Sequence, residues 1–341
     1  MRFGLYILRR LLLSIVVLLG LSIIIFVIAR VVPGDPARLS LGPRAPQDVV
    51  DALRKELHMD RPLPEQYWIW LTNALQGDLG KSLVSKRPVI QDVAQYLPAT
   101  LELVFFAAIF MIFFAILLGT LAARYKDTWV DGMIRTLSYF GVSIPAFVVA
   151  ILFILLFGYF WPILPVLSRA SPSFSIPTIT GFKVLDSLIA GNIPAVWDAF
   201  KHLILPVVAL ALGGTFQEAR ITRSGIVDNA NKDFISAERG YGISERTIWF
   251  RFLLKPSLIP TVSVMGLDIA ATIGNAFLVE LIFNWPGLSR YGINAMLQKD
   301  LNSISGVVLI IGIVFILTNI LVDIIVAFLD PRIRLGGVRG K

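Results

Sequence analysis

The 341-residue chain is 56% hydrophobic and only 16% charged, with a mean hydropathy of +0.76. Soluble domains carry about a quarter charged residues, so a soluble globular protein is excluded; with no cysteine, so are disulfides, thiolate metal sites and thiol nucleophiles. A formal charge of +8 would suggest nucleic acid in a soluble protein, but here the basic residues border apolar runs and set membrane topology, so no nucleic-acid partner is expected.

Runs of about 20 apolar residues cross a bilayer as helices, and six are read in chain order. The first, about 11–31, follows Arg9-Arg10. Its length, its lack of a small-x-small cleavage site and its continuation into Val31-Val32-Pro33-Gly34-Asp35-Pro36 make it a retained span rather than a signal peptide. In the loop that follows, Val49, Leu53 and Leu57 share a helical face after Pro46. Trp68, Leu71 and Leu75 form a second stripe, and Ile90, Val93 and Leu97 a third. The stripes predict short helices on the outer membrane surface, with Trp68 and Trp70 as interfacial anchors. Residues 1–100 are thus a span plus an outer loop, and 101–341 a core of five spans.

The second span, about 101–123, opens at Leu101-Glu102 and closes before Arg124-Tyr125-Lys126. The third, about 137–160, contains Pro145. A Pro-, Ser- and Thr-rich outer loop at 161–202, in which no element is placed, leads to the fourth, about 203–219, with Pro206 and Gly213-Gly214. The fifth, about 258–281, contains Asp268, and the sixth, about 304–329, contains Asp323. Pro and Gly inside spans predict a packed bundle, where neighbouring helices satisfy the freed backbone groups.

Lys and Arg set the orientation. With the N-terminus inside, the inner pieces (about 1–10, 124–136, 220–257 and 330–341) carry about 17 basic residues in roughly 75 positions, against about 13 in roughly 130 outside. The bias predicts a multi-pass protein of the cytoplasmic (inner) membrane with both termini cytoplasmic.

The longest inner stretch, 220–257, predicts a helix, a glycine break and a second helix. Gly240 and Gly242 permit the positive φ that ends a helix sharply. Ser244 is placed to cap the next helix, with Glu245 favourable in its first turn. Ile248, Trp249, Phe252 and Leu253 give that helix an apolar stripe, Arg246, Arg251 and Lys255 its basic flanks, and Pro256 a stop signal. Such an amphipathic helix fits either lipid headgroups or a groove on a partner protein.

An ordered set of motifs carries a family resemblance over nearly the whole chain. It begins with Arg9-Arg10-Leu11-Leu12, an apolar run and Pro33-Gly34-Asp35-Pro36. It continues through Met59-Asp60-Arg61-Pro62-Leu63, Gln66-Tyr67, Trp70-Leu71, Gly77-Asp78-Leu79-Gly80 and Leu97-Pro98-Ala99-Thr100. Glu280, Phe283-Asn284-Trp285-Pro286-Gly287-Leu288 and Asp330-Pro331-Arg332 complete it. With these the chain resembles the inner-membrane permease subunits of ABC importers for dipeptides, oligopeptides and nickel.

The resemblance implies an all-α integral membrane protein of six transmembrane helices with the type I ABC importer permease (MetI-like) fold. It implies a heterodimer with a second, homologous permease, two cytoplasmic ABC ATPases and an extracytoplasmic solute-binding protein. ATP and Mg²⁺ would then be bound by the ATPases, with no cofactor and no enzymatic activity in this chain. The implied cargo is a small solute, di- or oligopeptides first, with oligosaccharide or nickel as alternatives. The inner loop would carry the family's EAA motif, a coupling helix seated in a cleft of the ATPase. Its glycine corresponds to Gly242, and the proline 18 positions on to Pro260. The expected coupling residues are Ser236, Ala237, Glu238, Arg239, Gly240, Gly242, Ser244, Glu245 and Pro260. Where the family tends to have Ala-Arg-Ala-Lys-Gly, this chain has Glu238-Arg239-Gly240-Tyr241-Gly242.

Other signals have plainer readings. Gly77-Asp78-Leu79-Gly80-Lys81-Ser82 resembles the tail of a phosphate-binding loop, but Leu75 stands where its first glycine is needed. Intramembrane carboxylates are costly and need partners. Glu102, Glu280 and Asp323 are read as structural hydrogen-bond partners near span ends or between subunits. Asp268, with Asn275 two turns on, is read as a candidate pathway-lining residue. His58 and His202 stand alone, so no metal site is expected. An ion-driven secondary transporter is the rival class, but it favours inverted repeats with broken helices, and no repeat is evident. A passive membrane anchor would not need polar spans.

Overall fold

The computed structural model describes residues 3–31, 36–42, 44–56 and 58–329. Among these the regular structure is helical, with one isolated bridge between Lys81 and Pro88. In chain order come α1 (Phe3–Val31), α2 (Pro36–Leu41), α3 (Gln47–Glu56), α4 (Leu63–Leu75), α5 (Val89–Arg124), α6 (Trp129–Ser143) and α7 (Ala146–Leu155). There follow α8 (Lys183–Ile189), α9 (Ile193–Ala230), α10 (Asp233–Gly240), α11 (Glu245–Thr247), α12 (Lys255–Ile282), α13 (Leu288–Leu297) and α14 (Leu301–Leu329). Two π-helical stretches extend α7 (Leu156–Phe160) and join α11 to α12 (Ile248–Leu254). Pro33-Gly34-Asp35, Leu57 and Asp330-Pro331-Arg332, with the rest of 330–341, lie outside the described residues.

Five segments are long and apolar enough to cross a bilayer: Leu8–Ile28, Val89–Arg124, Ile193–Ala230, Glu245–Ile282 and Leu301–Ile325. The sixth crossing exists only as a broken pair, α6 with α7 and its π extension, bent by 103°. The continuous span expected at 137–160 is therefore corrected. Ile144, ahead of Pro145, is pushed out of the helical region to φ −95°, ψ 119°, and Pro145 caps a new helix instead of kinking the old one.

Other boundaries move for local reasons. Ile90, Val93 and Leu97 are not a separate surface helix but the opening turns of α5, where Val89 and Val93 are buried with Leu288 and Val307. The fourth helix runs on past 219 to Ala230, because Thr222 and Ile226 keep a buried face as the sequence turns polar. Pro256 does not stop the second loop helix. It sits at the start of α12, after the wider π turns, where a missing N–H disturbs the ladder least. On α4, Trp68 and Leu75 point outward, 65% and 80% exposed, while Tyr67 and Trp70 pack on Phe26 of α1 at 5.4 and 6.0 Å between ring centroids. Trp70 is thus held by ring packing on α1.

At the centre stands α9, on which α5, α12, α6 and α7 all pack. Little hydrophobic force draws helices together in lipid, so close approach through small residues matters more. Ala107 and Ala115 of α5 share a buried cluster with Ala209 and Ala211 of α9. A Cβ on Gly119 would lie 2.6 Å from the Ala219 carbonyl oxygen, so the two backbones touch there. Outside this core α14 packs on α12 and carries α1, which Arg10 ties to Asp323 at 3.0 Å.

The α13 end of the bundle is bolted together by buried polar side chains. Glu102 is fully buried and accepts from Arg169 Nε and from the Val184 N–H, both at 2.8 Å. Glu280 accepts from Thr100 Oγ1 at 2.5 Å and from the Arg290 N–H at 3.0 Å. Asp300 holds the Ser82 hydroxyl at 2.6 Å and the Leu83 N–H at 2.9 Å, so the segment resembling a phosphate-binding loop is a structural tie. Asp92 takes the Ser85 and Tyr291 hydroxyls and pairs with Arg87. Burial pushes the Tyr291 hydroxyl up to about 12, which keeps it protonated as a donor to Asp92. Trp285, fully buried, donates Nε1–H to the Ala99 carbonyl at 2.9 Å. The structural roles expected of Glu102 and Glu280 are met in this layer.

Candidate functional site

At the opposite end, residues 231–244 join α9 to the helix that becomes α12. Asn231 and Lys232 turn the chain into α10, where Ile235 is fully buried and Ser236, Ala237, Arg239 and Gly240 are exposed. Ile235 forms a small separate core with Ile226 of α9 and with Ile248 and Leu253 of the π stretch, flanked by Ile243, Trp249 and Phe252. The apolar stripe read from the sequence is therefore present, but it packs against α9 and α10 instead of lying free for lipid or a partner. What the loop presents outward is its tip, with Tyr241 84% exposed and Phe234 40% exposed beside it.

Of the two glycines expected to break the helix, only Gly242 does so, at φ +76°. Gly240 is the last residue of α10 and needs no special backbone. A Cβ at Gly242 would meet nothing within 4 Å, so the requirement there is conformational rather than steric crowding. Ser244 occupies the N-cap position as expected. Its hydroxyl meets Thr247 Oγ1 at 2.9 Å rather than a backbone N–H, because the side chain closes a local loop of its own. Glu245 pairs with Arg239 at 2.7 Å, tying α11 back to α10 across the turn, and Glu238 is half-buried beneath them. Pro260 is exposed inside α12 and stands apart from this group.

A clamp just before the loop escaped the sequence reading. Arg223 of α9 holds the fully buried Asp131 of α6 through Nε at 2.6 Å and Nη2 at 2.7 Å. Fork-to-fork pairs of this kind fix orientation as well as distance. Nothing in a single sequence links positions 131 and 223.

Inside the bundle, Asp268 and Asn275 of α12 line one cavity of about 170 Å³ together with Gly213, Gly214 and Gln217 of α9. Gln217 Nε2 donates to Asp268 Oδ2 at 3.5 Å, and the Thr272 hydroxyl donates to the Asp268 carbonyl at 2.6 Å. The sequence reading passed over Glu218. It is fully buried, neither carboxylate oxygen has a hydrogen-bond partner, and its carboxyl abuts that of Asp268. The signal was present, since Gln217-Glu218 fell inside the fourth span and an acid there is costly unless used. Among the described residues no group of three His, Cys, Asp or Glu could hold a metal ion, and His202 instead meets the Asp198 carbonyl at 2.9 Å.

Membrane-crossing helices, a polar cavity among them and a firmly seated projection at one end define a polytopic membrane transport subunit. Residues 115–335 match the model of the binding-protein-dependent transport system inner membrane component, and residues 3–104 match that of its N-terminal part. The chain belongs to this family, and with it to the ABC importer permeases of type I, MetI-like fold: multi-pass inner-membrane subunits whose ATPase lies in separate chains. It is similar to the dipeptide transport system permease protein DppB of Alkalihalophilus pseudofirmus, 35% identical over 96% of this chain and 99% of the relative. The probable D,D-dipeptide transport system permease protein DdpB of Escherichia coli is 34% identical over 95% of each chain. The glutathione transport system permease protein GsiC of Escherichia coli is 33% identical over 96% of this chain and 98% of the relative.

Proposed function

We propose that this subunit forms half of the translocation pathway of an ATP-driven importer for small peptides. The relatives named above are called permeases for dipeptides, D,D-dipeptides and glutathione. What those cargoes share is a small peptide-like body with a primary ammonium and a carboxylate. None of these three is named for oligosaccharide or nickel, the two alternatives kept open by the sequence. A second, homologous permease, two cytoplasmic ATPases that bind ATP and Mg²⁺, and an extracytoplasmic binding protein complete the machine. Both termini and α10 lie on the cytoplasmic side, in keeping with the excess of Lys and Arg there.

The observation that carries the coupling role is the seating of α10. Ile235 pins it to α9 and to the π stretch before α12, while Tyr241 and Phe234 stand out toward a partner. An ATPase that grips residues 236–245 differently in its open and closed states would bias the bundle between two arrangements, which is what coupling requires. Asp268 and Asn275 then line the route between them. Replacing Gly242 with Trp is expected to leave insertion and assembly intact and to abolish peptide uptake, measured in cells or proteoliposomes at matched expression. Normal uptake by that variant would remove the coupling assignment. Recovery from native membranes in mild detergent tests the partners, since a second permease and two ATPases should accompany the chain. Uptake that survives ATP depletion would favour an ion-driven carrier instead.

A further inference from the structure

We infer that Asp268 and Glu218, with Gln217, Thr272 and Asn275 around them, form a site inside the bundle for the primary ammonium group of a peptide in transit. The inference rests on the pathway reading above and narrows it to one chemical group.

The first reason is the pair itself. Glu218 is fully buried on α9, its two oxygens have no hydrogen-bond partner, and its carboxyl abuts that of Asp268 on α12. Ionised carboxylates only accept hydrogen bonds. Two of them side by side repel unless a proton or a cation comes between. Neighbouring basic residues do not supply that charge. Arg223 is taken by Asp131, and Arg220 lies over the Tyr139 ring at 5.8 Å. Among the described residues no Lys or Arg lines the cavity.

Shape and chemistry supply the second reason. The cavity of about 170 Å³ is lined by Asp268, Thr272 and Asn275 of α12 and by Gln217, Gly213 and Gly214 of α9, and Glu218 adjoins it through the Asp268 carboxyl. An ammonium has three N–H donors and no acceptor, which suits two carboxylates supplemented by amide oxygens. A bare divalent cation would ask for six or more oxygen ligands, or several retained waters. A primary ammonium is also what the small-peptide cargoes have in common. The site would therefore read the cargo's charged end after its release from the binding protein, while leaving the side chains unread.

The test uses the whole transport complex in proteoliposomes, with the purified binding protein at equal occupancy by labelled alanyl-alanine or by its N-acetyl form. Charge-assisted hydrogen bonds are worth enough for a preference of about tenfold for the free amine. Asp268→Asn and Glu218→Gln should each slow alanyl-alanine by about that factor while leaving the N-acetyl peptide unchanged. Asp268→Glu should retain the preference. If the two neutral variants slow both peptides equally, the ammonium assignment is overturned while the pathway reading stands. If neither variant slows either peptide, the pathway reading falls with it. A preference that disappears on removing sodium or potassium would assign the pair to an inorganic cation and likewise overturn the proposal. Should Asp268→Asn fail to assemble, judged by ATPase stimulation, Glu218→Gln decides: a lost preference supports the site and an intact one overturns it.

Discussion

The two ends of the bundle solve opposite problems. At the α13 end, carboxylates that are almost wholly buried (Glu102, Glu280, Asp92 and Asp300) each meet several donors from distant segments, so loops more than a hundred residues apart share one polar layer. At the α10 end a single small apolar core holds the loop, and its polar residues look outward. A buried, satisfied network fixes one geometry. An exposed helix held at its base leaves its outer surface open. The difference teaches where the molecule is built to be stiff and where, on the proposed coupling role, a partner would grip it.

That contrast can be broken most strongly from the stiff end. Glu102→Ala leaves the largely buried Arg169 guanidinium without its carboxylate, and removal of one partner from a buried pair costs about 3–5 kcal/mol. Thermal unfolding in detergent should show a large loss of stability, and Arg169→Ala a similar one. A next, milder probe is acid. Burial raises the Asp186 carboxyl, but hydrogen bonds from Thr180, Ile179 and Gly181 outweigh it, and the net pKa lies below its ordinary 3.8. A carboxyl lowered on folding stabilises the protein above its unfolded pKa, and that contribution is lost as pH falls through the folded value. Wild-type protein should therefore lose stability below about pH 4, and Asp186→Asn should flatten that part of the profile.

At the gripped end the stability effects are smaller. Ile235→Val removes one buried methylene beneath α10 and should cost about 1 kcal/mol. Tyr241→Ala, at an 84% exposed position, should shift stability by less than about 0.5 kcal/mol. It should nevertheless reduce binding-protein-stimulated ATPase activity. If Tyr241→Ala instead unfolds the protein while Glu102→Ala does not, the comparison between the two ends is inverted.

The spans were the most legible part of the sequence, because a run of about 20 apolar residues has few other fates. Their ends were not. Beyond residue 219 the helix of α9 continues on two buried positions, Thr222 and Ile226, in an otherwise polar stretch, and only the packed neighbour makes those two count. Proline misled in both directions: Pro145 broke a span read as continuous, and Pro256 failed to end a helix read as stopping there. Each outcome depends on whether the turn before the ring can be reshaped, which is tertiary information. Asp268 and Asn275, two turns apart on the fifth span, stood out in the sequence as polar residues in an apolar run, and they line one cavity. Glu218 became meaningful only once α9 and α12 lay side by side.

Between α9 and the start of α11, only residues 231–232 and 241–244 lie outside helices. A flexible tether of a dozen residues would let its ends drift independently, and a pull on it would first take up slack. Here the helical segment of α10 fills most of the span, and Ile235 is seated on both flanking helices. In a machinist's terms the joint has almost no backlash. On the coupling reading proposed above, a displacement at Tyr241 would reach α9 and the foot of α12 together, as one stroke.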